Sequence, residues 1–238
     1  MKPYYENGAV TIYHANCIEV LPLSETVDLI VTDPPYGVSY KSNRGDHAPI
    51  SGDESLNVAK DGLKLAIKCL RRGRHIYTFG SKEMLDDMPL CGIAELIWDK
   101  VIMGMGDLTS PWGKSHENIY FATYEISKAN RDKGFGSMAA RLRRGTVLRS
   151  QRAQSGQSKV HPTQKPIDIL RQLIESSSII GETVLDPFMG SGSTLIAAAM
   201  EGRRAIGIEI EERYCEHAAK RIAALSEILE NRTACFGY

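Results

Sequence analysis

The sequence predicts an α/β protein: a doubly wound, mostly parallel sheet of seven strands carrying a small basic insertion. Three observations predict it. Short β-rich apolar runs alternate with segments of helical period along the chain, the order that builds parallel sheets with helices on both faces. Two of those runs end in unusual turns, Asp33-Pro34-Pro35-Tyr36 and Asp186-Pro187-Phe188-Met189-Gly190-Ser191-Gly192-Ser193-Thr194. In open α/β sheets, ligands sit just beyond such carboxyl ends of strands. Residues 128–160, by contrast, are rich in Lys and Arg, low in aliphatics and broken by glycines, which predicts an insertion outside the core.

Taken in order, Val10–Tyr13 reads as the first strand, followed by a short amphipathic turn through Leu21. Val27–Val31 is a continuous apolar run of the kind that fills a buried parallel strand. Val38–Asp53 has no apolar period and reads as a long mobile loop. Asp53 or Ser55 is placed to cap a helix running to about Arg72, with Leu56, Ala59, Leu63, Ala66, Ile67 and Leu70 on one face and Gly73 ending it. Arg74–Phe79 is the next strand, a short helix covers Lys82–Met88, and Ala94–Trp98 and Asn118–Thr123 are two more strands. Pro166 suits the first turn of a helix that carries Ile167, Leu170, Leu173 and Ile174 inward. The strand Thr183–Asp186, the glycine turn, the helix Leu195–Met200, the strand Arg204–Glu209 and a last helix over Glu211–Glu230 complete the chain.

The 238 residues make one large domain or one domain with an insertion. Its 42% apolar and 24% charged residues are ordinary for a soluble protein. No apolar run reaches membrane-spanning length, and the first residues contain no signal-peptide core. Five cysteines without a Cys-x-x-Cys pair read as reduced thiols of a cytoplasmic protein, and six scattered histidines add no metal site. The chain is neutral overall, yet Lys128–Lys159 holds nine basic residues against Asp132 alone, a local +8 on a body of −8. Such a segment is either a solvated basic loop or the electrostatic footprint of phosphate contacts.

The two turns carry the chemistry. Consecutive prolines remove two backbone donors and fix their own φ angles, and the residue before a proline is held extended. Asp33-Pro34-Pro35-Tyr36 is therefore a stiff strand end offering a carboxylate, the Pro34 carbonyl and an aromatic ring, a set that suits an exocyclic amine on a flat base. Its plainer reading is a proline-rich turn with Asp33 in solvent. In the second turn, glycines allow close backbone approach, and the following helix start offers free N–H groups. No Lys follows Gly192 and no Gly-x-Gly-x-x-Gly is present, which disfavours triphosphates and dinucleotides. Glu209, about twenty residues on, is placed to accept hydrogen bonds from ribose hydroxyls. An adenosine bearing a carboxylate fits, and S-adenosylmethionine is one. Asn16, beside Cys17 and just past the first strand, is placed either to reach that cofactor or to cap the next helix.

With these pieces together the chain resembles the β-class of DNA amino-methyltransferases, whose catalytic half precedes the cofactor half in a circularly permuted, Rossmann-like methyltransferase fold. Asp33-Pro34-Pro35-Tyr36 resembles the catalytic motif, while Leu96–Lys100 and His116–Asn118 resemble further core motifs. His161-Pro162-Thr163-Gln164-Lys165-Pro166 and Asp186–Thr194 resemble the cofactor motifs, and Glu209 the ribose-binding acid. Where the family's first turn reads Gly-Asp, this chain has Ala15-Asn16, whose amide still accepts a hydrogen bond.

The resemblance implies residues 1–127 as the catalytic half, 128–160 as the target-recognition insertion and 161–238 as the cofactor-binding half. It implies double-stranded DNA as partner, gripped through Lys128, Arg131, Lys133, Arg141, Arg143, Arg144, Arg149 and Arg152, and a homodimer. Asn16, Cys17, Asp33, Thr163, Gln164, Lys165, Asp186, Pro187, Phe188, Gly190, Ser191, Gly192, Ser193, Thr194 and Glu209 would surround S-adenosylmethionine. Asp at position 33 leans towards adenine N6. Cytosine N4, an RNA adenine, or a non-catalytic DNA-binding protein on the same fold remain the alternatives.

Overall fold

The computed structural model describes residues 1–35, 56–102, 109, 111–124, 144–150 and 164–236. Among the described residues, nine strands form one sheet: β1 (Tyr5–Glu6), β2 (Val10–His14), β3 (Val27–Thr32), β4 (Leu70–Phe79), β5 (Leu90–Asp99), β6 (His116–Tyr124), β7 (Val147–Arg149), β8 (Thr183–Asp186) and β9 (Arg204–Glu209). Their spatial order is β1-β2-β9-β8-β3-β4-β6-β5-β7. From β2 to β4 all neighbours run parallel, whereas β1 and β6 run against theirs. The helices are α1 (Cys17–Val20), α2 (Leu56–Cys69), α3 (Ile167–Ser177), α4 (Ser193–Met200) and α5 (Glu212–Phe236), with a 3₁₀ turn at Lys82–Leu85.

The seven expected strands are the body of this sheet; the two additional ones are short and sit at its edges. One of them lies within the segment expected outside the core. Val147–Arg149 pairs parallel to β5 and buries Leu148, and the Trp98 indole donates to the Ser150 carbonyl at 2.9 Å. Part of the basic segment thus docks on the sheet, because an unpaired edge strand gains hydrogen bonds from any extended neighbour. Helix α2 stops at Cys69, earlier than expected, because Leu70 already pairs with Val27. The chain then bulges before His75 pairs with Leu29, and Gly73 takes a φ of 80° inside that bulge rather than capping the helix. The expected loop 38–53 and its candidate caps Asp53 and Ser55 lie outside the described residues.

All six residues of β3 are buried, as a central parallel strand requires. Leu29 and Val31 join the core shared with α3, α4 and α5; Val27 and Ile30 join the core shared with α2. Each fully buried aliphatic of this kind contributes roughly 1.5–3 kcal/mol. On α3, Ile169, Leu170, Leu173 and Ile174 supply the inward stripe while Asp168 faces out. The helices therefore lie on both faces, and the chain reverses its winding direction between β8 and β3. The β8–α4–β9 unit moves towards one edge and the β3–α2–β4 unit towards the other.

Candidate active site

The reversal opens a crevice at the carboxyl ends of β3 and β8, where ligands of doubly wound folds bind. Leu29 and Ile30 pair with Val184 and Leu185, which brings both unusual turns to one edge. The Thr32 hydroxyl donates to Asp186 Oδ1 at 2.8 Å. The residue before Asp33 is thereby bonded to the acid that opens the glycine turn, across 154 residues of sequence.

Asp33 is half-buried and Pro34 buried. Asp33 Oδ2 lies 2.7 Å from Lys165 Nζ, and the same ammonium lies 3.1 Å from Glu117 Oε2. Glu117 Oε1 in turn meets Lys100 Nζ at 2.6 Å. The four charges alternate along the chain Asp33–Lys165–Glu117–Lys100. Lys165 is buried and its ammonium sits 4.9 Å from the Phe79 ring centre. Burial is the strongest single influence on Lys165 and works against its charge, but Asp33 and Glu117 together outweigh it and its pKa is raised. Burial likewise works against the Glu117 carboxylate, and Lys165 and Lys100 outweigh it, so that pKa is lowered. Asp33 is thus no solvated turn residue.

On the other side of the crevice, Asp186 Oδ1 also accepts from the Phe188 amide at 3.1 Å. Burial, the largest influence, pushes the Asp186 carboxyl up to about 7; hydrogen bonds from Thr194, Thr32 and Phe188 oppose it, and the Asp33 charge adds to it. Gly192 adopts a φ of 76°, and a Cβ there would stand 2.7 Å from the Ala218 Cβ, so the turn needs glycine on both counts. Glu209 Oε2 accepts from the Gly190 amide at 2.9 Å and Oε1 from the Glu211 amide at 2.8 Å. Burial raises the Glu209 pKa against those bonds. Ser193 Oγ, in the first turn of α4, is buried without a hydrogen-bond partner among the described residues. An orphaned polar atom at a helix start on this edge fits a polar ligand that completes it.

Residues 97–220, over half of the chain, match the family model for N6/N4 methyltransferases described as DNA methylase. The chain belongs to the N6/N4 DNA methylase family. This methylase is 28% identical over 253 residues to the Type II methyltransferase M2.DpnII of Streptococcus pneumoniae, covering 95% of this chain and 94% of the relative. Its fold is shared with the M1.HpyAVI–SAM complex (TM-score 0.69, 22% identity, 90% of this chain and 98% of that one). It is also shared with the PvuII DNA methyltransferase (cytosine-N4-specific) (TM-score 0.68, 16% identity, 92% and 88% covered). As a family member the methylase is a DNA amino-methyltransferase.

The methylase brings Asp33, Pro34, Pro35, Lys165, the turn Asp186–Thr194 and Glu209 to one edge of its sheet. Asn16 sits beside them through the Ala15 amide, which bonds the Glu209 carbonyl at 3.0 Å; its side chain caps α1 by accepting from the Ile18 amide at 3.1 Å. Cys17 is buried against Gly62 and Phe188, and burial pushes its thiol up to about 11. Gln164 is half-buried, next to Lys165. Tyr36, Thr163, Lys128, Arg131, Lys133, Arg141, Arg143 and Arg152 lie outside the described residues. Of the other basic candidates, Arg144 pairs with Glu175 of α3 and Arg149 with Asp99 at 3.1 Å. Sequence reasoning placed Lys100 and Glu117 in motifs without giving them a role, and it gave Thr32 none. Local sequence carries no sign of their pairing. It arises because β6 runs antiparallel to β4, which returns the start of β6 to the carboxyl edge.

Proposed function

We propose that this methylase transfers a methyl group from S-adenosylmethionine to the exocyclic N6 of an adenine rotated out of double-stranded DNA. The observation that carries the reading is the Thr32–Asp186 hydrogen bond, which holds the Asp33 strand end against the glycine turn at the reversal of the sheet. Bound S-adenosylmethionine supplies a methyl group made electrophilic by its sulfonium. Glu209 is suited to its ribose hydroxyls, the start of α4 with Ser193 and Thr194 to its carboxylate, and Asn16 to the adenosine end.

The amino nitrogen of adenine is a poor nucleophile because its lone pair is delocalised into the ring. The Asp33 carboxylate and the Pro34 carbonyl accept its two hydrogens and favour a pyramidal nitrogen. As positive charge grows on that nitrogen these acceptors bind it more strongly, which lowers the barrier rather than only holding the substrate. The surplus proton leaves to water once transfer is complete. Cys17 and Cys215 are poor nucleophiles for a covalent route: burial pushes their thiols up to about 11 and 12, far from the thiolate.

Rotating a base out of the duplex costs a few kcal/mol. Stacking on Tyr36 offsets part of it, at about 1–3 kcal/mol per base. The division into a catalytic half (1–127), a recognition insertion (128–160) and a cofactor half (161–238) belongs to this reading, with the basic segment supplying salt-sensitive phosphate contacts. Incubation with unmethylated DNA, followed by nucleoside mass spectrometry, tests it. The expected product is N6-methyladenine; N4-methylcytosine overturns the choice of base, and no methylated nucleoside overturns the reading itself.

A further inference from the structure

The sequence groups Lys165 with the cofactor residues, but its ammonium is spent elsewhere, on Asp33 at 2.7 Å and on Glu117 at 3.1 Å. We infer that Lys165 is a positioning residue for the Asp33 carboxylate, held in place by Glu117, and that Glu117 is held in turn by Lys100. The inference rests on the proposed function, since it assigns Lys165 and Glu117 their part in presenting Asp33 to the substrate amine.

Stability alone gives no reason for this chain of charges. A buried ion pair adds little over apolar side chains of similar volume, because desolvation cancels most of the attraction. Removing one member is different, because it leaves the others uncompensated. Without Lys165, two carboxylates, Asp33 and Glu117, face one gap with no cation between them, and like charges at that range drive one of them to take a proton. A protonated Asp33 has lost one of its acceptor sites, and a repelled one turns away from the position the amine requires.

The four members come from four segments: the end of β3, the residues before α3, the start of β6 and the end of β5. Asp33 is therefore met by a residue far from its own turn in the sequence. Among the described residues, Asp186 of β8 is a further titratable group near Asp33, and the Asp33 charge pushes its carboxyl upward. Lysine suits the task because an ammonium is a compact charge on a flexible stem. It meets one Asp33 oxygen without dictating both, as a guanidinium fork would.

The test compares wild type, Lys165→Met, Glu117→Gln and the double variant in steady-state methyl transfer to unmethylated duplex DNA across a pH series. S-adenosylmethionine affinity is measured separately by calorimetry. A positioning role predicts that Lys165→Met lowers kcat by about 100-fold, the order expected when a reacting group is misplaced, while cofactor affinity stays near wild type. It predicts that the acid limb of the rate profile moves to higher pH. It also predicts that Glu117→Gln, costly alone by about 10-fold, restores part of the rate when added to Lys165→Met, since it removes the facing carboxylate. Loss of cofactor affinity with kcat unchanged would return Lys165 to the cofactor site and sink the inference, as would a double variant whose losses simply add.

If Lys165→Met does not fold, Glu117→Gln still decides, through its kcat and pH profile against wild type. A readout independent of turnover separates this inference from the function it rests on. In nitrogen-labelled lysine NMR, Asp33→Asn and Glu117→Gln should each make Lys165 lose its proton at lower pH than in wild type. An inactive wild type with that coupling present would overturn the function and keep the contact. An active wild type with Lys165 unmoved would overturn the positioning role.

Discussion

Strand β3 carries an acid at each end, and the two are held in opposite ways. Asp28, at the amino end, has a side chain only 3% exposed; it meets Arg71 at 2.8 Å, Arg74 at 3.3 Å and the Thr183 amide at 3.0 Å. Two guanidinium groups and a backbone donor clamp β3 to β4 and β8 there. Asp33, at the carboxyl end, has a side chain 22% exposed and is met by the flexible ammonium of Lys165. A compact ammonium on a flexible stem lets a carboxylate exchange partners more readily than two guanidinium groups and a backbone donor do. One acid is tied between strands and the other is held at the crevice by one flexible partner.

That contrast can be broken from either end. The largest effect is expected at Asp33: Asp33→Ala should reduce methyl transfer by more than about 10³-fold, leave cofactor binding close to wild type and, since Lys165 keeps Glu117, lower the thermal midpoint less than Asp28→Ala does. A tritiated-methyl assay beside a melting curve checks both halves. Asp28→Ala should do the reverse. It removes the partner of two arginines and should cost about 3–5 kcal/mol of stability, read by urea unfolding, with turnover per folded molecule retained.

A smaller loss, about 1–3 kcal/mol, is expected for Gly192→Ala, which combines a strained positive φ with a close approach to Ala218. Unlike Asp28→Ala it should also weaken cofactor binding, because it deforms the glycine turn.

The pH dependence sharpens the comparison further. The Asp186 carboxyl, raised from 3.8 to about 7, stays protonated in the fold at pH values where the unfolded chain has ionised it. The folded state then holds the extra proton, so the Asp186 contribution is full below 3.8 and is lost as pH rises through about 7. His75 works in the other direction. Burial lowers its pKa from 6.5 to about 4, so it costs stability as pH falls through that range. Replacing Asp186 with Asn should therefore leave a profile that rises more steeply with pH than the parent's, as followed by urea midpoints. The smallest effect belongs to the periphery: Arg144→Ala breaks a partly exposed pair with Glu175 and should change stability by less than about 1 kcal/mol.

Much of the molecule was legible along the chain. The alternation of apolar runs with amphipathic segments named seven strands and the helices between them, since each such element buries its own stripe. The two edge strands escaped notice because two or three residues carry no period, and Val147–Arg149 sits inside a basic stretch whose charge hides it. Gly73 read as a helix stop because a positive φ suits a cap and a bulge equally well. At the site, Asp33, the glycine turn and Glu209 announced themselves through turn chemistry. Asn16 could be read two ways, and its amide oxygen is the N-cap of α1.

What the sequence determined by itself is the set of elements and the two unusual strand ends, because prolines, glycines and apolar period act over a few residues. Only the tertiary structure decided which charges stand around Asp33. The antiparallel entry of β6 beside β4 brings Glu117 to the same edge as Lys165, and burial there leaves each of them no inexpensive state except a charge facing its opposite.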